Sequence, residues 1–408
     1  MRMMPLQALF ITQYYRPEVI GSGPFCGDLA EWLNQHGYRV TVLTGQPHYP
    51  IGQRFPGYDD SERPEREVLN GVRVERMQTF IPKTTSVASR ILGDISFVAS
   101  GIAALLGPRV GRGSLIVSLC PSILGVGLGM LARRKGGRHI AVVHDIQSGL
   151  AGSLGLVGSS WFLRLIRWCE RFVLNRVDLV AVLTEEMRQQ LRAIGIQAPI
   201  EVIPIWVDTG RIWPVNALRE GPVKILYSGN LGKKQGLGQV IALAEELQRE
   251  RPDIEIIVRG NGNQAAGLRA EIEKRKLTNI RLTDLLPPEH LSQGLAEGDI
   301  HLVPQDPEGA EFAVPSKIFS VMAAGRPFIA TARPGSPLSR LQQRSGAFLC
   351  APPNDPSAFA QAVLRLADDA ACRAELGARG RQFVEQNCTK AKVLGEFTTL
   401  IEALYAGR

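Results

Sequence analysis

The stretch Ile225–Leu243, ILYSGNLGKKQGLGQVIAL, decides the fold of the second half of this chain. Residues 223–227 form an apolar run that predicts a buried parallel strand. A glycine-rich turn with Lys233 and Lys234 follows, and after Gly238 the apolar residues recur at helical spacing. A strand, a glycine turn and a helix in this order are typical of a βα unit in a parallel sheet.

The same turn has the features of an anion site. Backbone N–H groups at a helix start point outward, glycines such as Gly236 let a phosphate approach, and Lys234 adds a full charge. The spacing matches neither a P-loop nor the dinucleotide-binding fingerprint. The alternative is a tight βα turn whose two lysines are solvated, so the turn alone indicates a phosphate site without naming its ligand.

The chain begins with a similar unit. A strand over Leu6–Thr12 leads into a loop that contains Gly21 and Gly23. A helix then runs to His36, and a second strand covers Tyr38–Thr44. This order predicts a parallel α/β domain whose ligands bind beyond the carboxyl ends of the strands. Gly21 and Gly23 therefore lie where a phosphate or sugar could approach, unless they serve the turn geometry alone.

The length of 408 residues exceeds what one hydrophobic core usually organises. We predict an α/β protein with two Rossmann-like, doubly wound parallel-sheet domains that face a central cleft. The first domain covers residues 1–204, a linker without periodicity covers 205–222, and the second domain covers 223–388. Residues 389–408 form a C-terminal helix that we expect to pack back on the first domain.

Three segments of the first domain have more than one interpretation. Residues 45–70 are rich in Pro, Gly and charge and predict a long surface loop. Residues 114–132 carry no charge, but Pro121-Ser122 divides them into a strand and a helix rather than a membrane span. The apolar helix over 86–106 has basic flanks, which suit either a buried helix or one that lies at a membrane surface.

The net charge of +8 is concentrated in one region, because residues 101–176 contain ten basic and two acidic residues. Such a region usually faces nucleic acid, anionic lipid or a phosphorylated substrate, although a solvated basic face is the alternative. Aromatic residues are not interleaved with these arginines in a nucleic-acid-binding pattern, so we do not predict a nucleic-acid partner.

The cysteines and histidines predict neither disulfides nor a metal site. The six cysteines form no CxxC pair and indicate reduced thiols in a cytosolic protein. The six histidines show no ligand spacing, so we expect no metal and no cofactor. The first residues do not predict a signal peptide, and we therefore expect a cytoplasmic location.

Several strings resemble one enzyme family. Tyr227–Leu237, YSGNLGKKQGL, resembles the corresponding segment of bacterial retaining glycosyltransferases of family 4, which have the GT-B fold. The resemblance is to the branch of colanic-acid fucosyltransferases and N-acetylfucosaminyltransferases. Further matches cover both domains in the expected order: Tyr14–Glu18 with Gly21, Leu43–Pro50, Ile203-Pro204 with Trp206–Asp208, Pro315–Lys317 and Ala323–Pro327.

The resemblance implies a sugar-nucleotide donor in the C-terminal half and an acceptor in the N-terminal half. The implied ligands of the donor diphosphate are Gly21, Gly23, Asn230, Lys234, Gly236, Ser316 and Lys317. Asn230 stands where many members carry an arginine. Glu311 matches the acid that holds the donor sugar, and Ser320 replaces the acid that usually holds the ribose. His144 and Asp145 follow a strand and are candidate catalytic residues, with a structural role as the alternative.

The function that the resemblance implies is sugar transfer by a retaining, metal-independent hexosyltransferase. The donor would be a nucleotide-diphosphate sugar, and the acceptor a polyprenyl-diphosphate-linked saccharide of exopolysaccharide, capsule or O-antigen synthesis. The basic N-terminal domain would contact the inner face of the cytoplasmic membrane. Two alternatives remain at this point: a sugar-nucleotide epimerase on the same fold, and a non-catalytic nucleotide- or lipid-binding protein.

Overall fold

The chain forms two compact units. The computed structural model of the protein describes residues 6–18, 21–48, 52–58, 65–82, 87–108, 110–120, 122–146, 160–215, 221–232, 235–306 and 314–406. One unit comprises Met1–Pro204 with Leu394–Arg408, and the other comprises Ile205–Val393. Each unit is built on its own β-sheet.

The first unit has an eight-stranded sheet within its described residues. Its strands are β1 Gln7–Ile11, β2 Arg39–Thr44, β3 Arg66–Leu69, β4 Val72–Arg76, β5 Gly113–Cys120, β6 Arg133–Val143, β7 Leu179–Val182 and β8 Ile200–Val202. The order across the sheet is β3-β4-β2-β1-β5-β6-β7-β8, and only β3 and β4 pair antiparallel. The order reverses between β1 and β5, and ligands of open α/β sheets bind beyond the strands at such a switch point.

Six helices accompany this sheet in the described residues. They are α1 Gly23–Gln35, α2 Val87–Leu106, α3 Ile123–Ala132, α4 Ser160–Leu174, α5 Glu185–Ala193 and the C-terminal α13 Lys390–Ala406. The indole N–H of Trp32 donates to the Thr398 hydroxyl over 3.1 Å, and the Tyr405 hydroxyl donates to the Ser114 carbonyl over 2.6 Å. The last part of α13 therefore packs on the first unit.

The second unit has a six-stranded parallel sheet in the order β11-β10-β9-β12-β13-β14. Its strands are β9 Lys224–Ser228, β10 Glu255–Arg259, β11 Ile280–Thr283, β12 Ile300–Val303, β13 Phe328–Thr331 and β14 Leu349–Ala351. Ile225, Leu226 and Tyr227 are fully buried, because helices cover both faces of a parallel sheet. The switch point of this sheet lies between β9 and β12.

The helices of the second unit alternate with its strands. They are α6 Gly238–Glu250, α7 Ala265–Lys274, a 3₁₀ turn Pro288–His290, α8 Leu291–Ala296, α9 Lys317–Ala323, α10 Pro337–Ser345, α11 Pro356–Asp368 and α12 Ala370–Asn387. The predicted fold class of two Rossmann-like domains is confirmed by the two sheets.

Two of the sequence interpretations need correction. Residues 66–69, REVL, lie in the predicted loop but form the edge strand β3, in which exposed and half-buried residues alternate. The predicted linker begins as part of the second unit, because Trp206 and Val207 are buried there and the Val207 N–H donates to the Cys388 carbonyl over 2.9 Å. These apolar side chains remove the start of the segment from solvent.

The uncharged stretch 114–132 forms most of β5 and then α3, so the prediction of a strand and a helix is confirmed. No helix in the described part of the chain is long and apolar enough to cross a membrane.

Candidate active site

A buried carboxylate organises the loops beyond the first two strands of the first unit. Glu18 is 2% exposed, and its two oxygens accept the backbone N–H groups of Tyr15 (3.0 Å) and His48 (2.9 Å). Tyr15 follows β1 and His48 follows β2, so one side chain holds both loops. Hydrogen bonds from N–H groups to a charged acceptor are stronger than neutral ones, which suits a loop that must keep a fixed shape. Two of the family-like strings thus meet at Glu18.

Arg16, from the same loop, ties this region to α1. Its guanidinium donates to Asp28 over 2.8 Å and also pairs with Glu31. It lies over Gly27, where an added Cβ would fall 2.5 Å from the guanidinium Nε. The loop after β1 is therefore fastened to the helix that follows it.

Gly21 and Gly23 stand at the start of α1, beside the switch point of the first sheet. Gly21 is exposed with φ of 76°, and Gly23 is the buried first residue of the helix. Ser22 occupies the N-cap position, but its side chain makes no capping hydrogen bond. The first turn of α1 therefore receives no acceptor from its cap residue, as an anion-binding helix end requires.

The structure brings this helix start to His144. The ring of Phe25, in the first turn of α1, meets the His144 ring edge-on with centroids 5.8 Å apart. His144 and Asp145 directly follow β6, at the same edge of the sheet as Gly21 and Gly23. His144 is half-buried and Asp145 is exposed. The two glycines at the start of α1 and the His144-Asp145 pair after β6, all selected from the sequence, thus lie at the same edge of the first sheet.

Burial sets the protonation state of His144. Loss of solvation disfavours the imidazolium ion and lowers the pKa of His144 to about 4. At neutral pH the ring therefore has one N–H donor and one nitrogen acceptor. Such a ring can hydrogen-bond to sugar hydroxyls, but it does not supply a positive charge.

In the second unit, the turn after β9 lies close against the turn after β10. The Gly229 N–H donates to the Arg259 carbonyl over 3.0 Å, and the Leu231 N–H donates to the Asn261 carbonyl over 2.9 Å. A Cβ on Gly260 would fall 1.9 Å from the Gly229 carbonyl oxygen, so the backbones can approach only without a side chain there. This contact leaves Asn230 exposed at the tip of the turn.

Gly236 shapes the entry to α6. Its φ of 58° is left-handed, and an added Cβ would lie 2.7 Å from the carbonyl carbon of Gln305. The side chain of Gln239 donates to that Gln305 carbonyl over 2.8 Å, which joins the start of α6 to the loop after β12. The N-cap residue is Leu237, which offers no side-chain acceptor. The Gln239 and Val240 N–H groups donate to the Gly236 and Leu237 carbonyls, each over 3.0 Å, so the Gly238 N–H and the positive end of the helix are what this turn offers an anion.

The most unusual environment at this edge of the second sheet is that of Lys317. Its Nζ lies 3.8 Å from the ring centroid of Tyr227, and a Cβ on Gly229 would lie 3.6 Å from its Cδ. The Nζ is buried and has no hydrogen-bond partner among the described residues. Desolvation lowers the pKa of Lys317 to about 7. The Tyr227 hydroxyl is itself occupied, because it donates to the Asn230 carbonyl over 2.7 Å.

Ser316 and Ser320 accompany Lys317 on the same short segment. Ser316 is the exposed N-cap of α9, and Ser320 lies on that helix and is half-buried. Asn230, Gly236 and Lys317 thus gather at the β9–β12 switch point. Lys234 and Glu311 lie outside the described residues.

Sequence reasoning did not select Glu18 or Tyr227 as parts of the site. Both stand inside family-like strings, and Glu18 is the only acidic residue in the sequence between the first predicted strand and the first predicted helix, which is a signal for a role there. The position of Tyr227 under Lys317 has no signal in sequence, because the two residues are far apart in the chain. Among the described residues, no group of three or more His, Cys, Asp or Glu side chains could hold a metal ion.

Both units match glycosyltransferase families. Residues 21–206 match the family described as "Glycosyl transferase 4-like domain", and residues 222–369 match "Glycosyl transferases group 1". The second match covers the β9–β12 switch point, and the first match begins after β1 and includes β5. Residues 21–206 thus carry a glycosyl transferase 4-like domain and residues 222–369 a group 1 glycosyltransferase domain, and the two Rossmann-like units have the GT-B fold.

The chain is also similar to individual glycosyltransferases and to solved structures with the same fold. The chain is 29% identical over 403 residues to WcaI of Escherichia coli K12, which is named for colanic acid biosynthesis; the match covers 94% of this chain and 96% of WcaI. Sucrose-phosphate synthase from Thermosynechococcus elongatus has a TM-score of 0.79 at 19% identity, over 99% of this chain and 100% of that one. HepE of Anabaena, solved with UDP and glucose, has a TM-score of 0.71 at 15% identity, over 97% and 99%.

Proposed function

We propose that this glycosyltransferase moves a sugar, with retention of configuration, from a nucleotide-diphosphate donor to a lipid-linked saccharide in polysaccharide synthesis. The donor diphosphate binds at the β9–β12 switch point of the second unit. The first-unit loops at Glu18, Gly21 and His144 serve the acceptor and the reacting sugar. The resemblance of the sequence strings, WcaI's name and the UDP bound to HepE support this proposal.

The observation that carries the proposal is the environment of Lys317. A buried ammonium group without an acceptor is costly, and proteins usually pair or neutralise it. The Tyr227 ring compensates only part of the lost hydration. A diphosphate bound beside Gly229 would give Lys317 its missing acceptors, and the positive end of α6, with the Gly238 N–H, would attract the same anion.

This arrangement suits sugar transfer. The bond from the anomeric carbon to the diphosphate oxygen breaks as the bond from the acceptor oxygen to that carbon forms. Negative charge grows on the leaving diphosphate, and Lys317, Lys234 and the start of α6 are groups that would stabilise it. With retention and no protein nucleophile, the acceptor approaches on the leaving-group face, and the departing diphosphate oxygen accepts the proton of the acceptor hydroxyl. The reaction then needs no metal ion.

The other candidate residues of the sequence analysis would contact the nucleoside and the sugar of the donor. Ser320 replaces the acid of the family pattern, and a hydroxyl group offers the ribose one hydrogen bond in place of a carboxylate's two acceptors. Glu311 binds the donor-sugar hydroxyls. Neutral His144 hydrogen-bonds near the reacting centre, with Asp145 at the same strand end, and Gly21 and Gly23 admit the donor phosphate or sugar.

The acceptor is a polyprenyl-diphosphate-linked saccharide, and the enzyme works at the cytoplasmic face of the membrane. The excess positive charge of residues 101–176 supports contact with anionic lipid. A donor sugar of the fucose or N-acetylfucosamine type is proposed from the resemblance of Tyr227–Leu237 to that branch.

The test begins with a thermal-shift screen of sugar nucleotides, because a ligand that binds only the folded state raises the melting temperature. Stabilising donors are then incubated with and without polyprenyl-diphosphate-linked saccharides. We expect transfer only with acceptor, and loss of donor stabilisation in Lys317→Met but not in Lys274→Met, a control on the exposed face of α7. Epimerised donor without acceptor would identify an epimerase, and binding without any turnover would identify a binding protein.

A further inference from the structure

Three neighbouring helices of the first unit, α2, α3 and α4, expose an unusual share of apolar surface. Seventeen large apolar side chains are exposed in the described part of the chain, and eleven of them lie on these three helices. Scattered exposed apolar residues are normal in soluble proteins. A contiguous exposed apolar patch is different, because it marks a binding surface.

Helix α4 has two apolar stripes on opposite faces. One stripe, with Leu174 and the buried Glu170, faces the core. The other points outward and recurs at steps of four, three and four residues: Trp161 is 62% exposed, Leu165 43%, Trp168 59% and Phe172 41%. A surface helix of a globular protein needs only the first stripe. The second stripe therefore requires another explanation.

Helix α2 repeats the pattern with aliphatic side chains. Phe97 is buried, whereas Ile91, Ile95, Ile102 and Leu106 are exposed along one side of the helix. These positions recur at steps of four, seven and four residues, so they share one helical face. Leu106 is 83% exposed. The outward side of α2 is thus apolar over most of its length.

Helix α3 packs against both of the other two helices and so links them into one layer. It packs against α2, where a Cβ on Gly101 would fall 2.2 Å from Leu128, and it also contacts α4. Its own Leu124 and Leu131 are exposed. We call the exposed apolar residues of these three helices the α2–α3–α4 face.

Arginines flank this face. Arg164, Arg167 and Arg171 are exposed along α4, and the acid among them, Glu170, points into the core. Every exposed charged residue on α4 is therefore positive. Aromatic residues and arginines thus alternate along one helix, although the sequence did not predict a nucleic-acid-binding pattern of aromatic residues among these arginines.

A pocket at the end of α4 is lined by both aromatic and arginine side chains. It has a volume of about 340 Å³ and is lined by Trp168, Arg171, Phe172, Asn175 and Arg176. Trp168 stacks on Phe172 with centroids 5.3 Å apart, and the Arg176 guanidinium lies 3.5 Å from the Phe172 centroid. Two guanidinium groups at an aromatic wall suit a phosphate group that is attached to an apolar chain.

We propose that the α2–α3–α4 face inserts shallowly into an anionic lipid bilayer, with the α4 arginines and their pocket at the level of the phosphate groups. Amphipathic helices with Trp, Phe and Leu on one face and Arg beside it bind membranes in this way. This inference names the surface for the membrane contact under the proposed function and rests on that contact.

The charge distribution favours lipid over other partners. A symmetric contact between two copies would bring the same arginine row against itself, which costs energy. Single-stranded nucleic acid would use the arginines and aromatic rings of α4 but would leave the aliphatic side chains of α2 and α3 without partners. An anionic bilayer satisfies both the apolar face and its basic border.

Some of the basic residues in the region 101–176 form ion pairs within the fold. Arg133 and Arg138 pair with Asp178 over 3.0 and 2.9 Å, and Asp178 also accepts the His139 N–H over 2.8 Å. These two arginines hold β6 in place and are engaged within the fold. The exposed arginines of α4, which lie beside the apolar stripe, are therefore better placed for the membrane than Arg133 and Arg138.

The experiment is vesicle sedimentation of the full-length protein. The vesicles contain phosphatidylglycerol and phosphatidylcholine, or phosphatidylcholine alone. The triple variant Trp161→Ser, Trp168→Ser, Phe172→Ser removes three apolar anchors, and a matched triple variant with Trp213→Ser, Leu285→Ser and Leu286→Ser removes exposed apolar residues of the second unit. A further variant changes Arg164, Arg167 and Arg171 to Gln.

We expect wild-type protein to bind the anionic vesicles more tightly than the neutral ones. The α4 apolar variant should lose at least about tenfold in affinity, and the arginine variant about 100-fold at low salt, from a factor of about five per residue. The matched control should bind like wild type. Donor stabilisation should be the same in all variants, which shows that they are folded.

Three outcomes would overturn the inference. If the α4 variants bind anionic vesicles as well as wild type does, the membrane contact stands but lies elsewhere. If wild type binds no vesicles, the proposed membrane contact fails together with the inference, while the donor assays still test sugar transfer. If wild type is a dimer that the α4 apolar variant converts to a monomer, and vesicles do not bind, the face is covered by a second copy.

Discussion

Donor binding should be coupled to proton uptake by Lys317. Desolvation lowers the pKa of this lysine to about 7 in the free protein. A diphosphate beside the ammonium group favours its charged form and raises the pKa again. The raised pKa in the complex means that binding is strongest below pH 7 and weakens as the pH rises through the free-state value.

The size of the effect follows from the free-state pKa. With a pKa of about 7, Lys317 is about nine-tenths protonated at pH 6 and about one-tenth protonated at pH 8. If the bound lysine stays charged, complex formation takes up about 0.1 proton at pH 6 and about 0.9 proton at pH 8. The affinity should then fall about tenfold between these two pH values.

Isothermal titration calorimetry in buffers of different ionisation enthalpy measures this uptake directly. An intact sugar nucleotide is the right ligand, because its diphosphate does not titrate between pH 6 and 8. Lys317→Arg should bind without the pH-dependent uptake, since guanidinium stays charged. Equal uptake at pH 6 and 8 in wild type, or unchanged uptake in Lys317→Arg, would refute the placement of the diphosphate at Lys317.

Four further predictions concern the rest of the site. His144→Asn should lower turnover, but wild-type activity should show no step from His144 between pH 6 and 8 because burial lowers its pKa to about 4; a step that disappears in the variant would contradict this. Gly236→Ala should lower the free energy of unfolding by at least about 2 kcal/mol, whereas Gly238→Ala, where a Cβ meets nothing, should not; denaturant titration decides. Glu18→Gln should cost about 1–3 kcal/mol through the loss of its charge-assisted hydrogen bonds, and an unchanged denaturation midpoint would count against its role. Transfer should survive EDTA; loss that only a divalent ion restores would show that the reaction uses a metal.

Much of the fold could be predicted from sequence, because its signals are local. The apolar run before Gly229 and the helical spacing after Gly238 identify β9 and α6 without any knowledge of their neighbours. The break at residues 121–122 separates β5 from α3 in the same way. By contrast, the edge strand β3 has no apolar run, since one side of an edge strand can remain exposed, and sequence reasoning assigned it to a loop.

The candidate site was only partly predictable. The glycines and Lys317 were recognised because their residue types suit an anion. Their environment could not be predicted, because the burial of Lys317 over Tyr227 depends on the pairing of β9 with β12, two strands that are distant in the chain. The same holds for Glu18, whose two hydrogen bonds join loops that only the sheet brings together.

Helix α4 shows most clearly which properties the local sequence determines and which depend on the tertiary structure. The sequence determines that residues 160–174 form a helix with apolar residues on two faces and arginines between them. Nothing in that pattern states which face packs on the sheet, since both offer comparable apolar area. Packing decides it: the stripe with Leu174 fills the core beside β6 and β7, and the stripe with Trp161 and Trp168 is left at the surface. The reason is that helix formation depends on neighbours within a few residues, whereas burial depends on which surfaces the whole sheet leaves to be covered.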